Sequence, residues 1–323
     1  MRAVKATPDD VRHAYRLLLG REPDAEGLAN YLAAIEGDAM TSEEVARSLM
    51  ASAEFAMRCD EPVRLRKIEI DGVGIYPWRG DQLIGDSLLA DGGDYEPNVL
   101  PVFLEALRPG DHVLDVGANI GIFTLLAARK VRGGRIYAIE PLARNIQSLC
   151  AGILANGFDN IFLLPVAASD RAGAVSMHRA VNSSNGIVDV RASILSGADL
   201  VPTQRVDSLL AGIERLDVIK IDIEGYEPLA WKGIRSLVDR FRPLIFSEFS
   251  PVAIRNTLSV DPDEYLKDLF EFASGPIEVL NRNGTRTRCD DGVSVMREWR
   301  KENERMGLGG TLHLDLLITT RLE

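Results

Sequence analysis

The chain has 323 residues, 46% hydrophobic and 26% charged, enough to bury a full core without disulfides or structural metal. Its formal net charge of −11 argues against a nucleic-acid-binding face, because phosphate neutralisation supplies most of that affinity. Cys59, Cys150 and Cys289 are far apart and form no CxxC, so no disulfide framework or zinc site is expected and a cytoplasmic setting is the simplest. No apolar run reaches the roughly 18–20 residues of a membrane span, and the N-terminus lacks the apolar segment of a signal peptide.

Residues 8–57 read as a small helical unit. Pro8-Asp9-Asp10 opens a first helix, Pro23-Asp24 a second and Thr41-Ser42-Glu43-Glu44 a third, each followed by apolar residues at helical spacing. The segment from Tyr15 to Leu32, with Arg16-Leu-Leu-Leu-Gly20-Arg21-Glu-Pro23-Asp24 at its centre, resembles a short bacterial helical module found beside glycan-related and surface-layer sequences. The resemblance implies an interaction part, with a protein partner or oligomer contact through residues 8–57. A packing cap on the main domain is the alternative.

Residues 66–78 alternate apolar and polar around Asp71-Gly72, which predicts a hairpin. A helix over 98–107 follows and stops at Pro109-Gly110. From 111 onward near-continuous apolar runs alternate with helical stretches at 121–131 and 142–156. The runs are 112–117, 135–140, 161–168, 217–223 and 243–249, and they predict a doubly wound, mostly parallel sheet. Two late strands, 277–280 and 312–319, are placed to pair antiparallel near the sheet edge. Arg282, Arg286 and Arg288, followed by Asp290 and Asp291, read as a solvated loop. The expected organisation is a helical module at 1–60, a hairpin and lead-in helix at 61–110, and a cofactor-binding α/β domain at 111–323.

Four segments carry chemistry. VLDVGANIGIF (113–123) ends a strand and opens a helix. Its glycines, Gly117 and Gly121, are spaced Gly-x-x-x-Gly, unlike the Gly-x-Gly-x-x-Gly that seats a pyrophosphate. With Asp115 ahead of it, such a loop suits the zwitterionic methionine end of S-adenosylmethionine (AdoMet). Glu140 ends the next strand, about twenty residues on, where a carboxylate accepts ribose hydroxyls. Around VAASD (166–170), Ala167 and Asp170 are candidate adenine contacts. In Lys220-Ile-Asp222-Ile-Glu224-Gly225, strand alternation puts Lys220, Asp222 and Glu224 on one face, and Glu248 ends the neighbouring strand. Asp222, Glu224 and Glu248 then converge either to bind and deprotonate a hydroxyl or to hold a hard divalent cation. Further metal ligands cannot be identified, so no obligatory metal is expected. His178 is an alternative base, whereas His13, His112 and His313 read as packing or surface residues.

Tyr95-Glu96, VLDVGANIGIF, AIEP (138–141), VDSLL (206–210), VIKIDIEGYE (218–227) and Glu248-Phe249 occur in order and at fitting separations. Together they resemble the FkbM-type methyltransferases over roughly residues 90–250. The resemblance implies the class I methyltransferase fold, a seven-stranded Rossmann-like sheet with an antiparallel last strand, AdoMet as methyl donor, and O-methylation of a sugar, glycan or polyketide-like natural product. It places Asp115, Gly117, Asn119 and Gly121 in the AdoMet loop and Glu140 on the ribose. Glu96 falls near the methionine end, and Asp222 and Glu224 beside the transferring methyl. A polar loop, Asn182-Ser-Ser-Asn185-Gly186, is expected to cover the site. An AdoMet-binding interaction protein without catalysis is the alternative, and a dehydrogenase is disfavoured by the glycine spacing.

Overall fold

A computed structural model describes residues 5–15, 19, 21–38, 40–50, 52, 54, 65–78, 81, 84, 88, 95–178 and 198–320. The chain divides into two compact units, Met1–Arg64 and Leu65–Glu323. In the first, helices run over Pro8–Ala14, Ala25–Asp38 and Ser42–Met50. Thr7 and Asp10 form a capping box on the first, and Thr41 and Glu44 exchange the same bonds at the third. Val11, Leu19, Ile35, Val45 and Leu49 make its small core.

The second unit begins with a hairpin, β1 (Ile68–Ile70) and β2 (Val73–Ile75). Asp71 and Gly72 both have positive φ, 48° and 71°, as a two-residue type I′ turn requires. Asn156 pins the hairpin to the helix Ala143–Asn156, since its side chain donates to the Gly74 carbonyl and accepts from the Gly74 N–H.

An eight-stranded sheet dominates. Its strands are β3 (His112–Val116), β4 (Arg135–Ile139), β5 (Ile161–Leu164), β9 (Val218–Ile221), β10 (Leu244–Phe249), β11 (Ile277–Leu280), β12 (Arg286–Cys289) and β13 (Leu314–Ile318), in the order β12-β11-β13-β10-β9-β3-β4-β5. Pairing is parallel from β5 to β10, while β13 runs antiparallel to both β10 and β11. Seven of these strands make the class I methyltransferase sheet that the motifs implied. The eighth, β12, corrects the reading of Arg286–Arg288 as a loop. Asn283-Gly284 is a hairpin turn, with Gly284 at φ 80° and the Asn281 N–H on the Thr285 carbonyl, so the chain doubles back and pairs with β11.

The run 161–168 also departs from expectation. Pro165 has no N–H to give to a ladder, and the strand breaks there. Beyond the break the chain enters a separate three-stranded sheet, β6 (Ala167–Ala168), β8 (Ala198–Gln204) and β7 (Gly173–His178). The loop 182–186 lies outside the described residues.

Both faces of the large sheet are apolar. Leu114, Val116, Ile219 and Ile221 pack on one side against Trp231 and Ile234 of the helix Glu227–Phe241. Val113, Val218 and Phe246 pack on the other against Phe103 and Phe123. On this second face, pairing aligns Asp115 with Lys220 and Lys220 with Phe246, and Glu248 with Asp315. A row of ionisable groups therefore crosses the carboxyl ends of β3, β9, β10 and β13, on the face otherwise used for core packing. Among the described residues no helix is long and apolar enough to cross a membrane.

Candidate active site

A cavity of about 480 Å3 opens at the carboxyl ends of β3, β4 and β9, the crevice in which open α/β sheets bind ligands. Gly117, Ala118 and Asn119 form its floor, with Glu140 at one side, Ala167, Ala168 and Met177 at an apolar end, and Asp222, Glu224, Glu248 and His313 at the other. Glu96 overhangs it from the turn that leads into the helix Leu100–Ala106.

The glycine loop is closed on itself. Gly117 and Ala118 donate to the Ile139 carbonyl, Asn119 to Glu140 Oε2, Ile120 to the Asn119 side chain and Gly121 to the Ala118 carbonyl. Anion binding at such a turn draws on backbone N–H groups left free to point at the ligand. Here those of 117–121 are already spent on protein acceptors, which disfavours a pyrophosphate and agrees with the glycine spacing. Gly121, at φ 96°, does not line the cavity; a Cβ there would stand 2.4 Å from Leu149 Cδ1, so its place is a packing requirement.

Glu140 is 4% exposed. Its Oε1 accepts from the Leu142 N–H at 2.8 Å and from Asn145 Nδ2 at 3.3 Å, and its Oε2 from the Asn119 N–H at 2.9 Å. Oε2 therefore keeps an acceptor position, and Glu140 lines the cavity, a combination suited to a hydroxyl donor. Burial pushes the carboxyl up to about 7, against the pull of these donors.

Asp115 is placed differently from the expectation of a ligand contact. It is buried beneath the loop, accepts from Thr124 Oγ1 at 2.6 Å and is not on the cavity wall; its Oδ1 has no partner. Asp170 also lies off the wall, beside Ser169 and Arg171, whereas Ala167 is on it. His178 ends β7, and its side chain is outside the described residues.

The acidic end is organised by Lys220, only 5% exposed. Its Nζ lies 2.8 Å from Asp222 Oδ2 and 4.4 Å from the centre of the Phe123 ring. Burial alone would lower the Lys220 pKa, but Asp222, Glu96 and Asp115 reverse that and keep it charged. Burial likewise opposes ionisation of Asp222, and Lys220 outweighs it, leaving this carboxyl below its usual range. Loss of hydration pushes Glu96 up to about 7 despite Lys220. Glu224, at the exposed rim, goes up to about 8 through partial desolvation and then its neighbours Asp222, Glu227 and Glu96.

Backbone strain concentrates here. Glu96, Asn119 and Glu224, none of them glycine, have φ of 41°, 53° and 57°, and all three line the cavity. The 222–226 turn is held by Glu227, which is fully buried and accepts from the Ile223 and Gly225 N–H groups at 3.0 and 3.1 Å.

Sequence reasoning missed three wall residues. Arg282, read as part of a solvated loop, sits on the β11–β12 turn against the cavity. His313, read as packing or surface, precedes β13 with Nδ1 3.1 Å from Glu248 Oε1 and Nε2 against Arg282. Asp315 accepts from Asn98 Nδ2 at 2.9 Å. The findable signal was strand pairing: β13 beside β10 forces Asp315 opposite Glu248. Asp222, Glu224 and Glu248 do line one cavity, and no group of three or more His, Cys, Asp or Glu side chains among the described residues is placed to hold a metal ion.

Residues 115–271 match the family model of the methyltransferase FkbM domain, and residues 6–59 that of a domain of unknown function, DUF4214. No curated protein matches the chain. Similar solved structures include methyltransferase FkbM from Methylobacillus flagellatus KT, at 16% identity and TM-score 0.37 over 83% of this chain and 55% of that one. They also include an rRNA methylase from Streptococcus thermophilus, at 10% identity and TM-score 0.39 over 69% of this chain and 94% of that one. A third is a Streptococcus mutans protein described as a methyltransferase, in complex with SAH, at 8% identity and TM-score 0.40 over 71% of this chain and 99% of that one. The chain spans about half the length of the first of these, 55%. With its sheet order and its motif-bearing strand ends, the chain carries a methyltransferase domain of the FkbM family.

Proposed function

We propose that the chain is an AdoMet-dependent O-methyltransferase acting on a hydroxyl of a sugar, glycan or polyketide-like natural product. The observation that carries this reading is one cavity with two chemically distinct ends. An apolar slot with a single open acceptor on Glu140 suits an adenosine. A cluster of carboxylates around one buried lysine suits a cationic sulfur centre and a polar acceptor.

AdoMet supplies an activated methyl on a positively charged sulfur. Glu140 accepts a ribose hydroxyl, while Ala167, Ala168 and Met177 enclose the adenine. Gly117 and Asn119 let the backbone pass close beneath the ligand, and Glu96 faces the methionine ammonium. Asp115 and Gly121 serve the loop from behind, Asp115 through Thr124 and Gly121 through Leu149. Asp222 and Glu224 would accept hydrogen bonds from polar groups flanking the reacting hydroxyl and so orient the acceptor for transfer. The helical unit is an interaction part, offering a protein partner or oligomer contact through residues 8–57.

Calorimetry on the full chain with S-adenosylhomocysteine and with NAD tests the cofactor, and binding of NAD alone sinks it. Transfer of labelled methyl from AdoMet is then scored on methyl glycosides, polyketide alcohols and an RNA oligonucleotide. Methylation of the RNA alone overturns the acceptor class. Binding of S-adenosylhomocysteine with no transfer to any acceptor favours an AdoMet-binding interaction protein.

A further inference from the structure

Asp222 is a poor proton acceptor, because Lys220 holds it ionised and already bonds one of its oxygens. A different group at the same end has the geometry of a base. His313 stands on the cavity wall with its side chain 38% exposed, and Glu248 behind it is 5% exposed. Nδ1 faces Glu248 Oε1 at 3.1 Å, while Nε2 faces Arg282, which has only N–H donors to offer. The Glu248 contact selects the tautomer with the proton on Nδ1, and a neighbour at Nε2 that has only N–H groups is compatible with a lone pair there. A carboxyl oxygen behind the protonated nitrogen and a lone pair on the nitrogen at the cavity wall is the arrangement a general base needs.

We propose that His313 takes the proton of the acceptor hydroxyl and that Glu248 is its positioning residue. This rests on the O-methyltransferase reading. The acceptor hydroxyl replaces Arg282 at Nε2; Arg282 is half-buried on the turn between β11 and β12, and its side chain has to turn aside for this. The acceptor oxygen forms its bond to the methyl carbon as the sulfur–methyl bond breaks, with that electron pair left on sulfur. The hydroxyl proton passes to Nε2, and the imidazolium is balanced by Asp222, which Lys220 holds ionised; Glu248, pushed well above its usual range by burial and then by Asp222, holds the Nδ1–H through Oε1 as a neutral carboxyl. Besides Glu248 on β10, the titratable and charged groups facing the ring are Asp315 on β13, Arg282 on the β11–β12 turn, and Asp222 and Lys220 on β9. Burial lowers the His313 pKa, so the ring is neutral and able to accept at pH 7.

The test is long-range proton–nitrogen NMR of the full chain, 15N-labelled and loaded with S-adenosylhomocysteine. His313 is expected as the neutral Nδ1–H tautomer at pH 7. Glu248→Gln, which keeps an acceptor oxygen, retains it; Glu248→Leu loses it. A wild-type ring protonated on Nε2, or one unmoved by Glu248→Leu, overturns the positioning role. With labelled AdoMet and a mixture of methyl glycosides and polyketide alcohols, His313→Asn is expected to lower kcat by about 100-fold or more. It should also abolish the acidic limb of the pH profile and leave S-adenosylhomocysteine affinity within about threefold. An unchanged kcat and profile overturn the base. A wild-type chain that binds S-adenosylhomocysteine but methylates nothing in the mixture overturns the O-methyltransferase reading beneath it.

Discussion

Gly117 and Asp222 are pressed together so closely that a Cβ on Gly117 would stand 2.0 Å from the Asp222 carbonyl oxygen. The contact joins the ends of β3 and β9, and the Asp222 N–H donates to the Val116 carbonyl at 3.0 Å just beneath it. The floor of the cavity and its acidic wall are thus one rigid piece, and the absence of a side chain at 117 is what lets them meet.

We predict that Gly117→Ala is destabilised and loses ligand affinity together. The position has φ 90°, which costs an L-residue roughly 1–3 kcal/mol before any clash, and the clashing atom is backbone that cannot swing away. A melting temperature within a degree of wild type, with S-adenosylhomocysteine affinity unchanged, would contradict this.

Lys220→Met removes the cation that Asp222, Glu96 and Asp115 share. Breaking a buried pair from one side costs about 3–5 kcal/mol, because the remaining charge has no partner. Denaturant melts should show that loss at pH 8. The loss should shrink at pH 5, where the stranded carboxyls are free to protonate. A pH-independent loss would mean that the lysine acts by packing on Phe123.

The sheet was legible because four of its strands, β3, β4, β9 and β10, are buried on both faces and read as apolar runs, and because Glu140, Asp222 and Glu248 each stand near the end of such a run. β12 was obscured by its composition. Arg286, Thr287 and Arg288 look solvated, and only Asn283-Gly284 betrays the turn. Asp115 was misplaced for a different reason. A strand-end motif tells which residues approach the ligand but not which way the last side chain faces, and alternation turns Asp115 in toward Thr124. Arg282 and His313 lie 33 and 64 residues beyond Phe249, the end of the last motif-bearing strand. Their arrival at the cavity depends on long-range pairing that no local pattern reports.

Glu227 should behave as a scaffold for the 222–226 turn. Glu227→Gln keeps an oxygen for the Ile223 and Gly225 N–H groups and is expected to fold and bind normally. Glu227→Ala strands both donors in a buried setting, at about 1–3 kcal/mol each, and should weaken S-adenosylhomocysteine binding about tenfold or more. Equal behaviour of the two variants in melts and calorimetry would refute the scaffold role.

The ligand-free chain should lose stability as pH rises. Glu140 and Glu227 are buried with pKa values raised from 4.5 to about 7, so the folded state binds more protons than the unfolded one above pH 4.5. Their contribution is complete below that value and is lost as pH climbs through 7. Melting temperatures should fall between pH 5 and pH 8, and Glu140→Gln should flatten part of the fall. A rise over that range would show that the two carboxyls are ionised in the fold.

Ligand charge offers a sharper comparison. AdoMet carries a positive sulfur and S-adenosylhomocysteine a neutral one, while Glu96 and Glu224 on the cavity wall sit at about 7 and about 8. A cation beside them favours their ionised forms, so AdoMet should release protons on binding near pH 7. By the same linkage its affinity should rise with pH relative to the neutral product. If the sulfur charge makes either carboxyl about tenfold more acidic, the affinity ratio changes by about tenfold between pH 6 and pH 9. Calorimetry in two buffers of different ionisation enthalpy measures both quantities. The double variant Glu96→Gln, Glu224→Gln should make the ratio flat, because it removes the two groups whose charge answers to the sulfur. A ratio already flat in the wild type would mean that neither carboxyl lies close to the methyl-bearing centre.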